Sequence, residues 1–170
     1  MRQPARVLLV HGMGRTSRCW WRLAHFLRQE GFAVDSLNYP STRQPMHSLV
    51  TDYLAPALQR LTCSGEPVAV ITHSLGGILL RQWLLQHRLP EGSRLIMLTP
   101  PNHGSPIPDT IGHWCLYRLL LGEVGQHLGQ SAAAWPQLLS QQEQLLGTQG
   151  YPKLMVIAGT FCTDPWFKPL

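Results

Sequence analysis

The chain has 170 residues, of which 44% are hydrophobic and 14% are charged, a balance typical of one globular domain with a substantial core. Its 14 basic and 9 acidic residues give a formal net charge of +5, but the basic residues are scattered and lack the interleaved aromatic residues of a nucleic-acid binder. We therefore predict a solvated basic face and no nucleic-acid partner. A weak attraction to anionic membranes or substrates remains compatible with this charge.

Cysteine usage and the start of the chain bear on the compartment. Cys19, Cys63, Cys115 and Cys162 are far apart and form no C-x-x-C pair, which favours reduced thiols over a zinc site or a disulfide framework. The short polar stretch 1–6 does not resemble a signal peptide, and no apolar run is long enough to span a membrane. The sequence thus predicts a soluble cytoplasmic protein with no integral membrane segment.

Five apolar runs predict five strands, which cover 6–12, 32–39, 67–74, 93–100 and 153–160. Apolar residues at helical spacing predict three helices between them: one over about 20–30 closed by Gly31, one over 47–61 kinked at Pro56, and one over 75–88 that ends before Pro90. Continuous Val, Ile and Leu strands that alternate with helices predict an α/β fold whose mostly parallel central sheet carries helices on both faces. With no internal repeat and no linker, residues 1–170 form a single predicted domain.

A serine stands where the third predicted strand turns into a helix, in P-V-A-V-I-T-H-S-L-G-G at 67–77. Such a turn puts Ser74 at the carboxyl end of a central strand, where open α/β sheets carry ligands. Strand and helix pass close together there, so the residues two before and two after the serine must be small, and they are Thr72 and Gly76. One alternative is a serine that merely caps the helix. We favour a strained nucleophile elbow, whose helix N-terminus offers N–H groups and partial positive charge to an oxyanion.

A second glycine-rich turn ends the first predicted strand, in H-G-M-G at 11–14. It can aim a backbone N–H group at the same point in space as the serine turn. A simple strand-ending turn would use Gly12 and Gly14 equally well. The pairing of this turn with the serine turn favours the functional interpretation.

The motifs V-L-L-V-H-G-M-G, N-Y-P-S-T-R, V-I-T-H-S-L-G-G and L-T-P-P-N-H-G-S occur in an order that resembles the α/β-hydrolase superfamily, and within it the small bacterial lipase/esterase type. The resemblance implies hydrolysis of carboxylic esters, either small molecules or lipids, through an acyl-serine intermediate. It implies that Ser74 is the nucleophile and that the backbone N–H groups of Met13 and Leu75 form the oxyanion hole. Thr72 departs from the first glycine of the usual G-x-S-x-G pattern. The sequence contains no metal cluster, phosphate-gripping loop or dinucleotide fingerprint, so we predict neither a metal nor a cofactor.

A catalytic serine needs a histidine to take its proton and a carboxylate to hold that histidine. In this family the acid follows the strand equivalent to 153–160, and the histidine follows one further strand. Asp164 is the only acid after 153–160, and its alternative role is a turn residue before Pro165. No histidine follows Asp164, since the last one is His127. We interpret the chain as a shortened family member without the final strand, histidine loop and closing helix, with 153–160 as an apolar edge strand.

A substitute base is needed if the chain hydrolyses esters as it stands. The histidines expected near the carboxyl edge of the sheet are His11, His73, His103 and, in the irregular region, His113. We choose His103, which lies on a loop beside the predicted site. The alternative is a catalytically impaired or inactive relic, or a binding protein, that keeps the fold.

Residues 102–150 are rich in Gln, Gly and Pro and carry apolar helical patches at 114–121 and 135–146. They lie where α/β hydrolases insert a cap, so they are a candidate cap or substrate-pocket segment. A plain amphipathic helix packed on the sheet would explain the same pattern.

Overall fold

The computed structural model describes residues 5–99 and 152–157. Its strands are β1 (Arg6–Val10), β2 (Ala33–Leu37), β3 (Val68–His73), β4 (Arg94–Leu98) and β5 (Lys153–Ile157). They form one sheet in the order β2-β1-β3-β4-β5, and each neighbouring pair is parallel. The predicted α/β class with a parallel central sheet is confirmed. The first four strands are shorter than predicted, because the residues at their ends turn out of the ladder.

A 3₁₀ turn (Ser17–Trp20) leads into α1 (Trp21–Gln29), and Gly31 closes this helix as predicted. Gly31 has a φ of +87°, which glycine adopts without steric cost. The N–H groups of Gly31 and Phe32 donate to the carbonyls of Arg28 and Leu27 at 3.1 and 3.0 Å, which is the pattern of a Schellman motif.

The helix predicted over 47–61 is continuous but not uniform. It begins as α2 (Met46–Ser48), widens into a π turn (Leu49–Leu54) and continues as α3 (Ala55–Thr62). Pro56 stands in the first turn of α3. A proline has no N–H to donate to the preceding turn, and the wide π turn directly before it accommodates this loss. The predicted kink is therefore a π turn placed just ahead of Pro56.

The helix predicted over 75–88 is shorter than expected, because α4 covers Leu75–Leu84. Its end tightens: the N–H groups of Leu85 and Gln86 donate to the carbonyls of Gln82 and Trp83, both at 3.3 Å. Such three-residue bonds are common where an α-helix stops. The chain then reaches β4 through a loop.

Helices cover both faces of the sheet, as predicted. Alternate β1 residues point to opposite faces. On one face Leu8 and Val10 pack with buried residues of the π turn, α3 and α4; on the other, Val7 and Leu9 pack with Trp20 and Ala24. Two apolar layers therefore hold the central strands in place.

The fifth strand lies at the edge of the described sheet. Three consecutive apolar side chains of β5 are exposed, namely Met155, Val156 and Ile157. The candidate cap at 102–150 lies outside the described residues, as do two of the cysteines. Cys19 and Cys63 are free thiols, in line with the prediction for them. In the part of the chain described here, no helix has the length and hydropathy needed to cross a membrane.

Candidate active site

Ser74 occupies the turn between β3 and α4 in a conformation that is rare for any residue other than glycine. Its φ is 50° and its ψ is −119°. The backbone holds it there from both sides, since its N–H donates to the carbonyl of Leu98 at 3.0 Å and its own carbonyl accepts from the N–H of Gly77 at 2.9 Å. A non-glycine residue at positive φ costs on the order of 1–3 kcal/mol, and such strain is concentrated at functional sites.

The hydroxyl of Ser74 does not cap α4. In residues 5–99 and 152–157 it makes no capping hydrogen bond, and the residue is half-buried. Among the described residues, the interpretation of Ser74 as merely a helix-capping residue is therefore wrong. The serine side chain is left accessible at the carboxyl edge of the sheet, beside the first turn of a helix.

Gly76 lies in close contact with the end of β1. A Cβ atom at Gly76 would lie 2.7 Å from the carbonyl oxygen of Val10 and 2.8 Å from that of His11. The requirement for a very small residue two positions after Ser74 is confirmed. Two positions before the serine, Thr72 is fully buried between its strand partners Val10 and Met97. The sheet accommodates a threonine there, although its hydroxyl finds no hydrogen-bond partner among the described residues.

The glycine-rich turn after β1 lies directly against the serine turn. A Cβ atom at Gly12 would lie 2.7 Å from Nδ1 of His73 and 3.1 Å from the Cβ of Ser74. The N–H of Arg15 donates to the carbonyl of Gly12 at 3.3 Å, and Gly14 has a φ of +65°. The turn is also bonded to the next loop, because the N–H of Gly14 donates to Oγ of Ser41 at 3.0 Å.

Two backbone N–H groups close to Ser74 have no hydrogen-bond acceptor within the described part of the chain. Leu75 is the first residue of α4, so its N–H lacks a carbonyl in a preceding turn. Met13 is half-buried at the centre of the Gly12–Arg15 turn, and none of the hydrogen bonds found within residues 5–99 and 152–157 uses its N–H. An arrangement of this kind can stabilise an oxyanion at the serine.

His11 is fully buried and supports the turn from below. Its Nδ1 lies 2.8 Å from the carbonyl of Gly12, and its Nε2 accepts from the N–H of Tyr39 at 3.4 Å. Its ring stacks on that of Tyr39 with centroids 4.1 Å apart, and the Tyr39 hydroxyl donates to the carbonyl of His11. Burial lowers the pKa of His11, which fits a neutral ring that donates through Nδ1. With both nitrogens engaged, His11 is not free to serve as the base.

Tyr39 and Ser41 are site-supporting residues that the sequence interpretation missed. Both lie in N-Y-P-S-T-R, one of the motifs of the family resemblance, and both are buried. A tyrosine next to a proline after a strand indicates such a supporting role only weakly. The hydrogen-bond partner of Tyr39, His11, lies 28 residues earlier in the chain.

His73 precedes the serine and is half-buried. Burial, and secondarily the positive charge of Arg15, lower the pKa of its imidazole. The predicted acid Asp164 and the chosen substitute base His103 lie outside the described residues, as does His113. Among the predicted site residues, the structure brings together Ser74, Leu75 and Met13.

The chain is similar to known proteins both in sequence and in structure. The family model described as the Alpha/beta hydrolase family matches residues 7–169. Methyl jasmonate esterase 1 of Vitis vinifera is 32% identical over 78 residues, which cover 42% of this chain and 30% of that protein. Lipase LipV of Mycobacterium tuberculosis is 31% identical over 99 residues, which cover 57% of this chain and 38% of that protein.

Among solved structures, Bacillus licheniformis lipase BlEst2 in its mature form superposes with a TM-score of 0.65 at 21% identity, over 94% of this chain and 68% of that chain. At this identity the likeness concerns the fold. The chain spans between 30% and 50% of the length of the curated relatives that it matches.

Proposed function

The chain belongs to the alpha/beta hydrolase family, and from that premise we propose that it is a serine hydrolase of the lipase/esterase type that cleaves carboxylic esters. The observation that carries the proposal is the strained Ser74, whose hydroxyl makes no capping bond and which lies against a turn where the Met13 N–H has no acceptor among the described residues. The two curated relatives named above are an esterase and a lipase, which supports esters as the substrate class.

In the proposed reaction Oγ of Ser74 attacks the ester carbonyl carbon while a base removes the hydroxyl proton. The N–H groups of Met13 and Leu75 donate to the oxyanion that forms. Collapse of the tetrahedral intermediate breaks the bond to the alcohol oxygen, which takes the proton from the base. Water, deprotonated by the same base, then attacks the acyl-serine and releases the carboxylic acid.

For the proton relay we propose His103 as the base and Asp164 as the acid that orients it. Each role can be tested by replacing the residue and measuring how the rate depends on pH. Loss of the base should lower the rate of the chemical step much more than it weakens substrate binding. Residues 102–150 are proposed as the cap that covers the acyl chain.

A fluorophosphonate probe tests the nucleophile. We expect the probe to label the chain at Ser74, located by mass spectrometry of the peptide, and Ser74→Ala to abolish labelling. Ser64→Ala is the control, since Ser64 is exposed in the turn after α3. Equal labelling of the parent chain and Ser74→Ala would remove Ser74 from the mechanism.

A second candidate is a catalytically impaired or inactive relic that keeps the fold as a binding protein. It is favoured by one observation: in residues 5–99 and 152–157 no histidine nitrogen makes a hydrogen bond to Ser74, and both nitrogens of His11 are engaged elsewhere. Loss of one triad member costs about 10⁴- to 10⁶-fold in rate. Turnover of a p-nitrophenyl ester by the 170-residue chain that Ser74→Ala abolishes would exclude this candidate.

A further inference from the structure

A cavity of about 450 Å³ opens next to the turn that carries Met13. Its walls come from three places: the far half of that turn, the loop after β2, and the π turn. Its lining includes Arg15, Asn38, Thr42, Arg43 and Tyr53. A volume of this size suits a small organic group.

The lining is cationic. Arg15 and Arg43 both contribute to it, and among the described residues no acidic side chain does. Both arginines are exposed, and within residues 5–99 and 152–157 neither forms an ion pair. Two guanidinium groups that share one cavity without a carboxylate create a positive electrostatic potential there. This potential attracts an anion.

Hydrogen-bond donors accompany the two charges. The Tyr53 hydroxyl accepts from Nε2 of Gln44 at 3.3 Å, which leaves its own proton to donate. The Thr42 hydroxyl and the Asn38 amide also line the cavity. Guanidinium forks and hydroxyl donors are the groups that carboxylates and phosphates select.

One turn, Gly12–Arg15, both lines the cavity and contacts the candidate active site. Arg15 follows the Met13–Gly14 pair directly, and its N–H closes the turn on the carbonyl of Gly12. Gly12 in turn contacts Ser74. The positive charge of Arg15 reaches the elbow, since it contributes to the lowered pKa of His73. The turn that carries Met13 thus separates the cavity from Ser74 and contacts both.

We propose that this cavity binds an anionic group, a carboxylate or a phosphate, carried by the ester that Ser74 cleaves. The inference rests on the proposed function for its link to Ser74, and it narrows the substrates to esters with an acidic group near the scissile bond. A neutral ester of the same size would leave both guanidinium groups without a counter-charge, and it would bind more weakly.

Binding is measured on Ser74→Ala, which cannot turn the ligand over, so the result does not depend on activity. Titration calorimetry compares monomethyl glutarate with its neutral analogue dimethyl glutarate, and glycerol 3-phosphate with glycerol. We expect the anionic member of at least one pair to bind at least about tenfold more tightly, since a charge-assisted hydrogen bond is worth roughly that factor. The pair that discriminates identifies carboxylate or phosphate as the group.

Variants locate the site. Arg15→Gln and Arg43→Gln are each expected to weaken binding of the anionic ligand by about tenfold, and to leave the neutral analogue unchanged. Arg60→Gln is the matched control, because Arg60 is an exposed arginine on α3 that does not line the cavity. Circular dichroism establishes that each variant is folded.

Three outcomes would overturn the proposal: equal binding of anionic and neutral members in both pairs, no binding of any of the four ligands, or an equal loss in Arg60→Gln. An equal loss in Arg60→Gln would mean that the anionic ligand is attracted by the net positive charge of the protein and not by this cavity. Failure of the proposed function is a separate result, because it appears as unchanged probe labelling in Ser74→Ala with the binding data intact.

Discussion

The Cα of Gly76 lies so close to the carbonyl oxygen of Val10 that a methyl group placed on it would come within 2.7 Å of that oxygen. Both partners of this contact are backbone, and they belong to a strand and a helix that meet beside Ser74. No rotamer change can relieve such a contact.

Gly76→Ala is therefore expected to lower the free energy of unfolding, although alanine is the better helix former. Overpacking of this kind costs about 1–3 kcal/mol, because α4 must move away from β1. Urea denaturation followed by circular dichroism measures the change. Gln29→Ala, at the exposed end of α1, serves as the control and should shift stability by less than about 0.5 kcal/mol. An unchanged stability in Gly76→Ala would show that the contact yields easily.

Ser74→Gly is expected to unfold less readily than Ser74→Ala. Both variants lack the hydroxyl, but only glycine adopts a φ of 50° with a ψ of −119° without strain. We expect a difference of about 1 kcal/mol in the free energy of unfolding, after the extra chain entropy of glycine is allowed for. Guanidinium denaturation of the two variants side by side is the measurement. Greater stability of Ser74→Ala would mean that the turn relaxes when the serine is lost.

Acid is expected to destabilise the fold below about pH 6.5, because burial lowers the pKa of both His11 and His73. Above that pH the imidazoles are neutral in both states, and the shifts have no effect on stability. As the pH falls, the unfolded chain takes up protons that the folded chain does not, so stability falls until the pH is below the folded pKa values. Each histidine contributes a slope of up to about 1.4 kcal/mol per pH unit.

The measurement is the free energy of unfolding at a series of pH values from 7.5 down to 5, bounds that bracket the ordinary histidine pKa of about 6.5. His73→Gln should reduce the slope, because one of the two histidines with a lowered pKa is removed. His25→Gln, on the exposed surface of α1, should leave the slope as it is. A parent chain whose stability is flat over this range would contradict the lowered pKa values of His11 and His73.

Thr72→Val is expected to raise the free energy of unfolding by about 1 kcal/mol. The Thr72 hydroxyl is fully buried without a hydrogen-bond partner in the described part of the chain, and valine replaces it with a methyl group of the same shape. Thermal unfolding of Thr72→Val and Thr72→Ser separates the two effects, since serine keeps the hydroxyl and loses the methyl group. If valine destabilises the chain as serine does, the hydroxyl has a partner.

The positions of the strands along the chain follow from short-range patterns. Continuous apolar runs such as V-L-L-V predict buried parallel strands, and the close passage of strand and helix at Ser74 predicts a small residue at position 76. These features depend on residues adjacent in sequence or on rules general to α/β sheets.

Other features depend on contacts that no local pattern contains. The stack of His11 on Tyr39 joins two loops, and the local sequence around either residue does not predict this contact. The π turn before Pro56 is held by the burial of Leu49 and Leu54, which tertiary packing decides. The cavity likewise forms from three separate segments. The predicted acid Asp164 and base His103 lie outside the described residues, so they remain predictions.

The in-register pairing of β1 with β3 aligns Val10 with Thr72. From that aligned pair the chain runs three residues to Met13 on one side and two to Ser74 on the other. The separation of the two turns is therefore set by the hydrogen-bond ladder of the sheet. A slip of one residue would carry one turn past the other by about 3.3 Å, the rise of one strand residue, and would invert the faces of β1. Loops elsewhere at this edge can lengthen or change sequence without altering that separation.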